Sequence, residues 1–137
     1  MRSVLLTSFL ALAAGACSPS QENAASSAPP AGVQWMATVL YNQPKDPAAF
    51  EKYYAEKHVP LFASHAQEIG VTRAELIKFA STADGKPPTL YREADLRFDS
   101  KEALEKGTAT AGFKAVAADL ANFATGGVTV LIGQKTN

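Results

Sequence analysis

The sequence predicts an α+β sandwich, a four-stranded antiparallel sheet with helices on one face only. Three observations predict it. Four short apolar runs have strand character, the stretches between them carry apolar residues at helical spacing, and the elements follow in the order β-α-β-β-α-β.

The first strand is the apolar run Met36 to Tyr41. Asn42 to Lys45, with Pro44, is a loop. Asp46-Pro47 then starts a helix, because Asp accepts from free amides and Pro is tolerated at the first helical position. Phe50, Tyr53, Tyr54 and Lys57 follow at helical spacing. Pro60 predicts an end or a kink near Lys57 or His58, with a second short helix from Pro60 to Glu68 and Gly70 as its stop.

Val71 to Phe79 reads as the second strand. Ser81 to Pro88 is a loop, marked by Asp84-Gly85 and Pro87-Pro88. Leu90 to Phe98 is the third strand. Leu90, Ala94, Leu96 and Phe98 share one face, with Arg92 as a polar exception, and Tyr91, Glu93, Asp95 and Arg97 share the other. Asp99 or Ser100 caps the next helix, which Gly107 interrupts. A further helix from Ala111 to Phe123 aligns Phe113, Val116, Ala117 and Leu120 in one stripe. Gly126-Gly127 turns the chain into the fourth strand, Val128 to Ile132.

This order is the ferredoxin-like split β-α-β arrangement. It leaves one sheet face without helices. Leu40, Ile77 and Leu131 are apolar and some of them must face that way. Pairing of two sheets in a homodimer would cover them.

Residues 1–16 read as a signal peptide: Arg2 is the positive end, Val4 to Ala14 the apolar run, and Ala14-Gly15-Ala16 the small-residue cleavage region. The run is shorter than the roughly 20 residues a membrane-spanning helix needs. Cys17 follows directly and is the expected lipidation site, although Ala14 stands where a lipobox has leucine; a soluble periplasmic protein cleaved before Cys17 is the alternative. Residues 17–34 form a flexible linker rich in Ser, Ala, Pro, Gln and Asn, and residues 35–137 the folded domain. The expected location is the periplasm, anchored to the outer membrane because Ser18 follows the cysteine, with the lipid as the only membrane contact.

The chain carries 13 basic and 13 acidic residues; loss of residues 1–16 removes only Arg2 and leaves a net charge of −1. No basic patch is visible, which argues against a nucleic-acid partner or a polybasic membrane surface. Cys17 is the only cysteine, so no disulfide forms within one molecule. His58 and His65, with no cysteine in the domain, make a poor metal set, and no Gly-rich dinucleotide loop is present.

Phe50-x-x-Tyr53-Tyr54-x-x-Lys57-His58-x-Pro60-Leu61 resembles the N-terminal signature of the EthD family, within the dimeric α+β barrel superfamily. Asp119-Leu120-Ala121-Asn122-Phe123-Ala124, followed by Gly126-Gly127 and a strand, resembles its C-terminal signature, and Tyr91 to Phe98 its third strand. The resemblance covers about Met36 to Thr136. It implies a homodimer and a small-ligand pocket between helix and sheet. Members are often described as reductases, and the wider superfamily includes cofactor-free oxygenases, isomerases, dehydratases and haem-degrading enzymes. The export signal departs from the family, whose members are generally cytoplasmic, and removes ready access to soluble nicotinamide cofactors.

His58 is the leading acid–base residue, placed where a helix ends at a proline; capping a loop carbonyl is its bland alternative. Asp95 and Tyr91 are the accompanying catalytic candidates, against a salt bridge and plain packing. Tyr41, Tyr53, Tyr54, Lys57, Leu61, Phe79 and Phe123 are the candidate ligand-binding residues. Asp119 reads as a local cap, and His65 as a surface residue. The expected cofactor is none; for haem, His58 is the only reasonable axial ligand. The function these readings favour is oxygenase, reductase, isomerase or dehydratase chemistry on a small hydrophobic or aromatic molecule. The alternative is a non-catalytic periplasmic binding lipoprotein.

Overall fold

The computed structural model describes residues 34–136. The predicted signal peptide, Cys17 and all of the linker except Gln34 lie outside the described residues. Gln34 itself is the first residue of a strand.

Four antiparallel strands, β1 (Gln34–Asn42), β2 (Arg73–Lys78), β3 (Leu90–Phe98) and β4 (Val128–Lys135), form one sheet in the order β2-β3-β1-β4. Helices α1 (Pro47–Tyr53) and α2 (Val59–Ile69) lie between β1 and β2. Helices α3 (Lys101–Thr108) and α4 (Ala111–Asp119) lie between β3 and β4, and a short 3-10 turn, Leu120–Asn122, follows α4. The predicted sandwich is present, and β3 has the predicted bounds. Among the described residues no helix is long and apolar enough to cross a membrane.

Ala37, Val39 and Tyr41 of β1 face the helices and are buried. They stand beside Leu96, Ala94 and Arg92 of β3 and beside Ile132, Val130 and Val128 of β4. The core divides into two clusters. One is aromatic, built on Tyr41, Phe50, Tyr54, Tyr91 and Phe123. The other is mostly aliphatic, built on Ala37, Ile69, Leu96, Leu104 and Val116 with Phe98.

Three local expectations need correction. Of the two outcomes expected at Pro60, the helix does not end there. The ring and missing N–H of Pro60 exclude an ordinary bond to the carbonyl four residues back, and the chain widens instead into a π turn over Tyr54–His58, where the Val59 N–H donates to Tyr54 five residues back. The helical run therefore continues from Pro47 to Ile69. Gly107 does not interrupt α3 but lies buried within it. A methyl group there would stand 2.1 Å from the Ile69 carbonyl oxygen, so glycine permits α3 to approach the end of α2. Tyr91 does not share the outer face of β3. Tyr41 stands opposite Arg92 and Asn42 opposite Leu90, which leaves Tyr91 as the extra residue of a β-bulge. The bulge turns its ring into the aromatic cluster, 5.2 Å from Phe50.

Arg92 lies on the helix face, as its place in the alternation requires. Glu51 receives its Nε at 3.1 Å and its Nη2 at 2.6 Å, and the guanidinium sits 4.7 Å from the Tyr54 ring centroid. The paired hydrogen bonds answer the cost of bringing a cation onto an apolar face.

Candidate functional site

The widened turn brings two inward side chains, Tyr54 and His58, against β1 and the end of α4. π turns arise where a helix must absorb a local misfit, and they recur at functional sites. Tyrosines aside, His58 is the one buried polar or charged side chain among the described residues, at 6% exposure. Its Nδ1 lies 2.8 Å from Oδ2 of Asp119, 61 residues along the chain. Oδ1 of Asp119 accepts from the Tyr53 hydroxyl at 2.8 Å and from the Asn122 amide at 2.9 Å.

Burial by itself would raise the Asp119 pKa. Hydrogen bonds from Asn122, His58 and Tyr53 more than offset it and hold the carboxyl below its usual range. An ionised carboxylate only accepts, so the proton in the His58–Asp119 bond belongs to Nδ1. In the neutral form of the imidazole, that tautomer leaves Nε2 as the lone-pair acceptor. The Tyr41 hydroxyl stands 3.5 Å from Nε2, at the limit of hydrogen bonding. Burial, with the neighbouring Tyr54, pushes the Tyr41 phenol well above its ordinary pKa and keeps it a neutral donor. Phe123 packs 4.7 Å from the His58 ring and is stacked in turn on Tyr53.

In front of Nε2 lies a cavity of about 220 Å³ between helices and sheet. Val39, Ala94 and Leu96 form its floor, and Phe62, Val116 and Leu120 much of its roof. Tyr41, Tyr54 and His58 carry the only polar side chains on the wall. Leu76 and Val130, from the two edge strands, lie at its margins and are more than 40% exposed.

Of the predicted site residues, Tyr41, Tyr54 and His58 meet on this wall. Tyr53 and Phe123 stand behind His58. Leu61 packs beside the aliphatic cluster, and Lys57 is exposed. Phe79 and Tyr91 line a separate shallow groove with Pro87 and Pro88. Asp95 lies on the outer sheet face, where it accepts from the Thr38 hydroxyl. His58, Tyr91 and Asp95 therefore do not converge on one point: the bulge takes Tyr91 toward Phe50, and the pleat takes Asp95 to the opposite face. Asp119, read from the sequence as a local cap, is the carboxylate that His58 meets.

Among the described residues no group of three or more His, Cys, Asp or Glu side chains could hold a metal ion. A cavity of about 220 Å³ is small for a haem macrocycle.

Fold and site together define a ferredoxin-like α+β domain with an apolar pocket bordered by a histidine–carboxylate pair. The chain belongs to the EthD family; the EthD domain matches residues 42–127. It is 41% identical over 97 residues to an uncharacterized 11.0 kDa protein of the thcB–thcC intergenic region of Rhodococcus erythropolis, covering 71% of this chain and 90% of that one. An EthD (ethyl tert-butyl ether D) family protein from Bacillus halodurans superimposes with a TM-score of 0.67 at 26% identity, over 75% of this chain and 99% of the other. A dimeric ferredoxin-like protein of unknown function from Bacteroides fragilis shares the fold, with a TM-score of 0.56 at 11% identity over 74% and 95% of the two chains. The two EthD-like signatures meet in space, since one supplies Tyr53 and His58 and the other Asp119, Asn122 and Phe123.

Proposed function

We propose that this chain is an exported EthD-domain enzyme in which His58, oriented by Asp119, moves a proton on a small hydrophobic ligand held in the cavity. The observation that carries the reading is the 2.8 Å contact between His58 Nδ1 and Asp119, which turns Nε2 toward an otherwise apolar chamber. A base needs its proton acceptor aimed at the substrate and its other nitrogen fixed; the Asp119 contact at Nδ1 supports the second condition, and the place of His58 on the cavity wall supports the first. Cofactor-free oxygenation, reduction, isomerisation and loss of water share that proton transfer, which makes it the step to test.

The protein acts as a homodimer in this reading, with the outer sheet face against its copy. Ile77 and Leu131 on that face are 41% and 51% exposed, and the Bacteroides relative is described as dimeric. Anchoring through Cys17 and a periplasmic location complete the proposal.

The test uses 2-naphthol, whose ring C1–H exchanges through proton transfer. Incubation with the purified protein in D₂O, followed by NMR, should show exchange above the buffer rate, and His58→Gln should return it to that rate. Exchange unaffected by His58→Gln would exclude His58 as the base. Saturable binding with no acceleration by the wild type would favour the non-catalytic binding protein, which the open cavity margins also suit.

A further inference from the structure

The distance between Tyr41 and His58 says which polar group the cavity recognises. The Tyr41 hydroxyl is a neutral donor, and its oxygen stands 3.5 Å from Nε2, too far for a strong bond. With its proton on Nδ1 toward Asp119, the neutral form of the imidazole offers Nε2 as a buried acceptor. The two groups thus offer one donor and one acceptor to a single atom on the cavity side within reach of both. A hydroxyl satisfies both at once: its oxygen accepts from Tyr41 while its hydrogen goes to Nε2. A ketone or an ether oxygen only accepts, and its arrival would leave Nε2 buried without a partner. Unpaired buried polar groups are what make such sites selective.

The cavity volume limits the rest of the ligand. An apolar cavity of about 150 Å³ takes benzene. This one, at about 220 Å³, is roughly half as large again. It has room for one ring with substituents or for two fused rings, and its remaining wall, from Phe62 to Val116 and Leu96, offers nothing polar.

We infer that the cavity selects a one- or two-ring hydrophobic molecule bearing a single hydroxyl, which donates to His58 Nε2 and accepts from Tyr41. This inference rests on the proposed ligand cavity but not on catalysis.

Calorimetric titration at pH 7.5 with naphthalene, 2-methoxynaphthalene, 2-naphthol and 9-phenanthrol tests it. The expected result is 2-naphthol at least tenfold tighter than naphthalene and its methyl ether, with the three-ring phenanthrol tenfold or more weaker than 2-naphthol. Tyr41→Phe should narrow the preference for 2-naphthol over naphthalene, while the preference over the methyl ether, which depends on Nε2, persists. Should that variant fail to fold, the wild-type series decides alone. Equal affinity for 2-naphthol and 2-methoxynaphthalene would overturn the hydroxyl assignment, and tight phenanthrol binding the size limit, with the ligand cavity intact in both cases. Absence of binding by all four compounds would overturn the cavity reading and this inference together.

Discussion

The two faces of the sheet place carboxylates in opposite circumstances. On the helix side, Asp119 is surrounded by donors from Asn122, His58 and Tyr53, and its pKa is lowered. On the outer side, Glu93 lies two residues from Asp95 on one strand, between Leu40 of β1 and Ile77 of β2. Burial, repulsion from Asp95 and a hydrogen bond with it raise the Glu93 pKa. The buried Nε of Arg97, on this same face, has no hydrogen-bond partner among the described residues. The difference teaches that one face has been completed within the chain and the other has not. Helices, aromatic rings and the hydrogen bonds to Asp119 close the middle of the first, while Leu76, Val130 and Ile132 on its edge strands stay exposed. The second keeps an acidic pair, an unanswered donor and exposed aliphatic side chains.

The largest effect should come from breaking the closed face. Phe50 contacts the rings of Tyr41, Tyr54, Tyr91 and Phe123, and is almost fully buried. Phe50→Ala should cost about 3–5 kcal/mol, read as loss of stability in urea unfolding. An effect below 1 kcal/mol would mean the aromatic cluster is not a packed unit.

Next in size is the acid response. Hydrogen bonding from Arg92 first, then from Tyr91 and Lys78, holds Glu51 down at about 2 against burial. A lowered folded pKa means its stabilisation is complete above the ordinary carboxylate range, near 4.5, and is lost as pH falls toward 2. Unfolding followed from pH 6 to pH 2 should show this loss, and Glu51→Gln should be less stable at pH 6 with a flatter profile. A wild-type profile already flat below pH 4.5 would remove the Glu51–Arg92 pair from the account.

The smallest effect belongs to the open face. A raised folded pKa gives Glu93 a contribution that is full below the ordinary carboxylate range and lost as pH rises through the raised value. Glu93→Gln should therefore leave stability at pH 7 unchanged or raise it by about 0.5 kcal/mol, the scale of a surface change. If the outer face meets a second copy, the same variant should strengthen the dimer in sedimentation at pH 7. A marked loss of monomer stability would contradict the description of this face as incomplete.

Much of this contrast was legible in the residues. The alternation of β3, the capping of α1 by Asp46 and the stripe of α4 came directly from spacing. Phe113, Val116, Ala117 and Leu120 proved to line the cavity, a role a helical stripe cannot distinguish from core packing. The bulge at Tyr91 left no mark in the pattern, because one extra residue in a strand changes which face follows without changing composition. The π turn was hidden behind Pro60, which locally reads as an end or a kink. Asp119 was missed as the partner of His58 because 61 residues separate them, and no local pattern encodes a contact of that range. A signal did exist, since both signatures of the family resemblance carried one member of the pair.

The orientation of His58 is the claim on which site and ligand both depend, and nitrogen-15 NMR of the neutral imidazole reads it directly. With Asp119 accepting from Nδ1, the His58 ring should show a protonated Nδ1 and a lone pair on Nε2, and Asp119→Leu should abolish that preference. A ring carrying its proton on Nε2 in the wild type would contradict the account.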